Sequence, residues 1–120
     1  MKVYRDDEDL LVCELTEMDV TNAETEFELY MSKQGATYEQ DWYKEPSVRQ
    51  FFKLYFGEVD YDIYYGDIYT VPDRYVLSSE TDACRFMKLA RQLQYHDTFA
   101  QKYCDVESNG NVVDIYYGDY

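Results

Sequence analysis

Apolar and polar positions alternate along several stretches of the chain and recur at helical spacing along others. Lys2 to Arg5 reads as a short strand, and Leu11, Cys13 and Leu15 alternate with Val12, Glu14 and Thr16, which predicts a strand with one buried face. In "TNAETEFELYMSKQG", Thr21 and Glu24 have the spacing of a capping box. Ala23, Phe27, Tyr30 and Met31 then fall on one helical face, and Gly35 suits the C-terminal cap. The same stretch also pairs Phe27, Leu29 and Met31 against Glu26, Glu28 and Tyr30 at strand spacing; the helix is the preferred reading. Pro46 opens a second predicted helix, residues 46 to 56, whose stripe is Val48, Phe51, Phe52, Tyr55 and Phe56 and whose stop is Gly57.

Beyond Gly57 the period changes to two. Val59, Tyr61, Ile63 and Tyr65 oppose Asp60, Asp62 and Tyr64, as in a half-buried strand, and Gly66-Asp67 opens a hairpin into residues 68 to 71. Pro72-Asp73 marks a turn and Tyr75 to Leu77 a short strand. Ser79 then caps a helix carrying Cys84, Phe86, Met87, Ala90 and Leu93, which continues, with or without a break near His96 and Asp97, through Phe99, Ala100 and Tyr103. "ESNGN" reads as a loop, and Val113, Ile115 and Tyr117 against Val112, Asp114 and Tyr116 give the last strand. The order predicts one α+β domain, with an antiparallel or mixed sheet and two or three helices packed on one face.

The hexapeptide Asp-Ile-Tyr-Tyr-Gly-Asp occurs at residues 62 to 67 and again at 114 to 119. A degenerate helix-strand duplication and the chance product of two tyrosine-rich strands are both open readings. Either way Ile63, Tyr65, Ile115 and Tyr117 face the core, while Asp62, Tyr64, Asp114 and Tyr116 face outward. A strand rise of about 3.3 Å per residue sets Asp60 and Asp62 roughly 6 to 7 Å apart in fixed register. Tyrosine presents a rigid ring and a hydroxyl at low entropic cost, which suits a binding surface.

Charge sharpens this picture. The 120 residues hold 25 acids and 11 bases, for a formal net charge of -14, well beyond the magnitude of roughly 2 to 8 that suffices for solubility. With 46 % hydrophobic residues the chain still has enough apolar surface to fold. Residues 74 to 104 carry only three acids against five bases, so the acidity belongs to the rest of the chain, including the cluster Asp6, Asp7, Glu8 and Asp9. Such a field repels nucleic acid and anionic membranes and attracts basic protein surfaces. The expected contact residues are Asp60, Asp62, Tyr64, Asp67, Asp114, Tyr116 and Asp119, with Asp6 to Asp9.

Cys13, Cys84 and Cys104 form no CxxC pair and read as reduced thiols filling a core, which points to the cytoplasm. The acidic N-terminus gives no export signal, and no run of about 18 apolar residues offers a membrane span. His96 is the sole histidine, too far from Cys84 and Cys104 for a zinc motif. Asp60 and Asp62 begin like a calcium loop, but its glycine is displaced and Val71 stands where the final Glu belongs. No metal, cofactor or catalytic residue is expected, since no nucleophile, metalloprotease or phosphate-loop pattern is present and abundant carboxylates alone do not assemble a reaction site.

In length and charge the chain is similar to phage and mobile-element DNA mimics of the anti-restriction and anti-CRISPR type. That similarity implies an inhibitor that occupies the basic cleft of a nucleic-acid-binding defence enzyme or nuclease. Ile63-Tyr64-Tyr65, with acids nearby, resembles the Ile-Tyr-Tyr run of nuclease-colicin immunity proteins, whose tyrosine pair contacts the toxin. The resemblance implies neutralisation of a basic nuclease, although Gly66 replaces that family's proline and the strand-like setting departs from its all-helical fold. A small enzyme or an accessory structural subunit is the remaining class.

Overall fold

The computed structural model describes residues 1–38, 51–52, 55–56, 72–92 and 102–119, with side chains placed for 1–32, 51–52, 55–56, 72–92 and 105–116. Among these residues five strands form one mixed sheet: β1 (Lys2–Arg5), β2 (Leu11–Leu15), β3 (Asp73–Leu77), β4 (Lys102–Asn109) and β5 (Val112–Asp119). The order across the sheet is β1-β2-β3-β5-β4, with β2 and β3 parallel and the other neighbours antiparallel. Two helices, α1 (Glu17–Tyr38) and α2 (Glu80–Ala90), follow β2 and β3. The architecture is α+β, as the alternating pattern predicts.

The helices cover one sheet face. Cys13, Leu15, Tyr75, Leu77, Val113 and Ile115 share that face by register and are buried against Val20 and Ala23 of α1 and Ala83, Phe86, Met87 and Ala90 of α2. Phe51, Phe52 and Phe56 join the same core; the four described residues of the predicted 46 to 56 helix, 51–52 and 55–56, are helical. The rings of Phe52, Phe56, Tyr75 and Phe86 interlock, edge-on or tilted at centroid separations of 4.7 to 6.2 Å, the arrangement the ring quadrupole favours. The other predicted residues of that helix, the strands of 58 to 65 and 68 to 71, and Leu93, His96, Phe99 and Ala100 lie outside the described residues.

Several boundaries differ from the sequence expectation. Helix α1 begins at Glu17, four residues before the predicted cap Thr21. The Thr16 N–H donates to Asp19 Oδ2 at 2.8 Å and the Asp19 N–H to Thr16 Oγ1 at 3.1 Å, a reciprocal box that starts the helix directly after β2. Thr21 lies inside the helix with its hydroxyl on the Glu17 carbonyl, and Gly35 is helical rather than a cap. Ser79 does cap α2, accepting from the Asp82 N–H at 3.1 Å. Asp73, expected in a turn, is the first residue of β3.

β4 takes up Lys102 and Tyr103, the far end of the predicted helix, and the first three residues of the predicted "ESNGN" loop. Residues 102 to 109 pair along their whole length with β5, from Lys102 opposite Asp119 to Asn109 opposite Val112. Only Gly110-Asn111 remains as turn, a two-residue hairpin loop with Gly110 at φ 62°, a backbone conformation in which glycine is least strained. Cys13 is buried, as expected of a core thiol, but Cys84 is exposed on α2. Nor is β2 one-sided, because Val12, on the face away from the helices, is only 4 % exposed. It sits between Tyr4 and Arg74 in the strand register, whose long side chains flank it.

Candidate functional site

The sheet face away from the helices carries Tyr4, Arg74, Asp105, Glu107, Asp114 and Tyr116, whereas Asp73 and Tyr75 lie on the helix-covered face. Across its middle, register aligns Tyr4, Val12, Arg74, Asp114 and Glu107 in one row, and Tyr116 lies opposite Asp105 two residues further along β5. Arg74 and Asp114 form a two-pronged ion pair, Nε to Oδ1 at 2.8 Å and Nη2 to Oδ2 at 3.0 Å, so β3 and β5 are tied together by side chains as well as by their ladder. That hydrogen bonding raises the Arg74 pKa further above its ordinary value, with Asp114, Tyr116 and Asp6 contributing charge.

Tyr116 has a phenol pKa pushed up first by burial and then by the fields of Asp114, Glu107 and Asp105, with Arg74 opposing. Three carboxylates therefore surround one half-buried tyrosine. Asp114 is spoken for by Arg74, whereas Glu107 is exposed and Asp105 half-buried at the outer strand. Asp105 and Glu107 alternate on β4, so they stand about 6 to 7 Å apart on one face.

The acidic cluster of residues 6 to 9 closes the β1–β2 hairpin at the end of the sheet where β3 begins and β5 runs out. Its four acids are not equivalent. Asp6 Oδ1 accepts from the N–H groups of Glu8 and Leu10, both at 2.9 Å, so this carboxylate builds the turn. Arg5 Nη1 donates to the Asp9 carbonyl at 3.0 Å, and Asp9 takes φ 64°. Asp7, Glu8 and Asp9 point into solvent.

The structure thus sorts the predicted contact residues. Ile115 is buried while Asp114 and Tyr116 lie on the opposite face, as the alternation predicts, but Asp114 is committed to an ion pair. Asp119 closes β5 opposite Lys102. Asp60, Asp62, Tyr64 and Asp67 lie outside the described residues. Sequence reasoning missed Arg74, Asp105 and Glu107. The period-two run Asp105, Val106, Glu107 before Gly110-Asn111 was the available signal for the last two.

Elsewhere Arg85 bridges the helices, donating to Glu24 and to the Thr21 hydroxyl at 2.9 Å, and its ion pair with Glu24 raises its pKa. Among the described residues no group of three or more His, Cys, Asp or Glu side chains is placed to hold a metal ion, and no helix is long and apolar enough to cross a membrane.

Fold and surface together define a class, an α+β protein with a helix-covered core face and an opposite sheet face bearing acids and tyrosines. No protein-family model, curated protein or solved structure matches the chain.

Proposed function

We propose that this chain is an acidic protein-binding inhibitor, a nucleic-acid mimic that occupies the basic cleft of a nucleic-acid-binding defence protein or nuclease in the cytoplasm. The observation that carries the reading is the helix-free sheet face, where Asp105 and Glu107 stand in fixed register beside Tyr116 on a chain of net charge -14. Strand geometry holds the backbone positions of such carboxylates at a regular spacing, so that only the side-chain rotamers remain to be ordered on binding. The overall field accelerates encounter with a basic cleft, and the tyrosines supply the contact area that charge alone lacks. The solvent-facing acids of the β1–β2 turn extend the negative surface beyond one end of the sheet.

Neutralisation of a basic nuclease toxin, as in the immunity proteins, uses the same electrostatic logic. The Ile-Tyr-Tyr run at 115 to 117 lies on a strand here, so only the logic and not the all-helical fold of that family carries over. The test is affinity capture from a nuclease-treated bacterial lysate with the intact chain as bait, at low and high salt, with and without excess duplex DNA. A mimic retains a nucleic-acid-binding protein that duplex displaces. Recovery of generic basic proteins alone, all lost together as salt rises, would remove the support for specific inhibition.

A further inference from the structure

Among the described residues β1 and β4 are the outer strands of the sheet, each paired on one side only. An outer strand presents a row of backbone donors and acceptors to any chain that can match its side chains. β1 is exposed along its whole length, including Val3 and Tyr4, and carries Lys2 and Arg5; Lys2 lies over the Tyr4 ring, 74 % exposed and 4.0 Å from Glu14 of β2, while the Met1 ammonium is held by Asp19. β4 carries the acids Asp105 and Glu107 around Val106. The two edges are therefore opposite in charge.

Their directions and faces also agree. β4 runs with β2 and β3, and β1 runs against them, so a second copy placed beside β4 in the same orientation brings its β1 in antiparallel. Side chains directly opposite each other in such a pair share a face. Lys2 and Tyr4 lie on the helix-free face with Asp105 and Glu107, and Val3 lies on the helix face with Val106. One register satisfies all three: Lys2 opposite Glu107, Val3 opposite Val106, Tyr4 opposite Asp105. Pairing β4 with its own copy instead sets acid against acid, and pairing β1 with β1 offers no opposite charge.

We propose that the β1 edge of one copy docks antiparallel on the β4 edge of a second copy in this register, continuing the sheet from chain to chain. Because the two edges differ, each docked pair leaves one β1 and one β4 edge open, and association propagates instead of closing as a two-fold dimer. The net charge of -14 on every copy opposes the contact at low ionic strength. It forms at high protein concentration and at salt of ~0.5 M, where the Debye length falls to about 4 Å and long-range repulsion is screened.

Sedimentation velocity of the full chain over a concentration series at that salt tests this, with no other partner present. The expected result is a size distribution that grows past the dimer. Glu107→Lys and Lys2→Glu each weaken it about tenfold by setting like charges opposite one another. An equimolar mixture of the two variants restores it, since every contact in the mixed array again joins opposite charges. Lys88→Glu, with the same charge change as Lys2→Glu but on α2, leaves it near wild type. Glu107→Lys, on a strand held by β5 along eight residues, keeps the test decisive where Lys2→Glu loosens the shorter β1. A chain that stays monomeric throughout, association that stops at a dimer, variants without effect, or no rescue on mixing would each overturn the proposal.

Discussion

Removing the Arg74–Asp114 pair tests whether the helix-free face is a built part of the fold or a layer of solvated charge. The pair joins neighbouring strands through two short hydrogen bonds, with Asp114 17 % exposed and Arg74 39 % exposed. A fully exposed ion pair contributes about 0.2 to 1 kcal/mol, whereas breaking a fully buried one costs about 3 to 5 kcal/mol. The intermediate exposure places Asp114→Ala near ~1.5 kcal/mol. The charge of Asp6 already acts on Arg74 and gives the stranded guanidinium a partial substitute, which keeps the loss below the buried limit. At about 4 °C per kcal/mol for a chain of this length the melting temperature falls by ~6 °C. The assay is urea unfolding of wild type, Arg74→Ala, Asp114→Ala and the double variant. The cycle should return a coupling of about 1 to 1.5 kcal/mol with an unchanged denaturant slope. A coupling below ~0.5 kcal/mol, within the scatter of independent sites, would refute the view that this pair ties β3 to β5.

The α1 cap makes stability depend on acid. The Thr16 N–H and the Met1 ammonium, 3.0 Å from Asp19 Oδ2, hold the Asp19 pKa below the ordinary 3.8. Its contribution is therefore complete above that value and lost as pH falls through the lower folded one, and Asp19→Asn should flatten this part of an acid titration followed by circular dichroism. Within the acidic turn, Asp6→Ala should cost ~1 to 2 kcal/mol in urea unfolding because two N–H groups lose their acceptor, while Asp7→Ala stays within about 0.5 kcal/mol of wild type. Burial pushes the Cys13 thiol up to about 12, so at pH 8 iodoacetamide should label Cys84 in the native protein and reach Cys13 only after unfolding, as read by peptide mass.

What the sequence made legible followed from strong local patterns. Alternation located β2 and the faces of β5, and Ser79 located the start of α2, because these signals need no knowledge of distant partners. β4 was misread because Tyr103 continues an apolar spacing that began in the α2 region, and because Asn109 and Gly110 look like loop residues. Pairing with β5 overrides that local impression, leaving two turn residues instead of five. The start of α1 was misplaced because Thr16-x-x-Asp19 and Thr21-x-x-Glu24 are both capping patterns, and the chain uses the one that abuts β2. The engagement of Asp114 was not legible at all, since its partner lies 40 residues away and only the sheet order brings Arg74 beside it. Composition gave the sign of the surface but not which acids are free to use it.

In the proposed function the contact is made by Asp105 and Glu107 of β4, which have no ion-pair partner among the described residues. The decisive measurement is a competition titration of the captured basic partner between this chain and labelled duplex DNA, with wild type and Asp105→Lys/Glu107→Lys compared at matched salt. Wild type and duplex should exclude one another, wild-type affinity should fall steeply as salt rises, and the double reversal should lose at least tenfold in affinity with the fold intact. Simultaneous binding of chain and duplex, or a double reversal that binds as tightly as wild type, would contradict the proposed function.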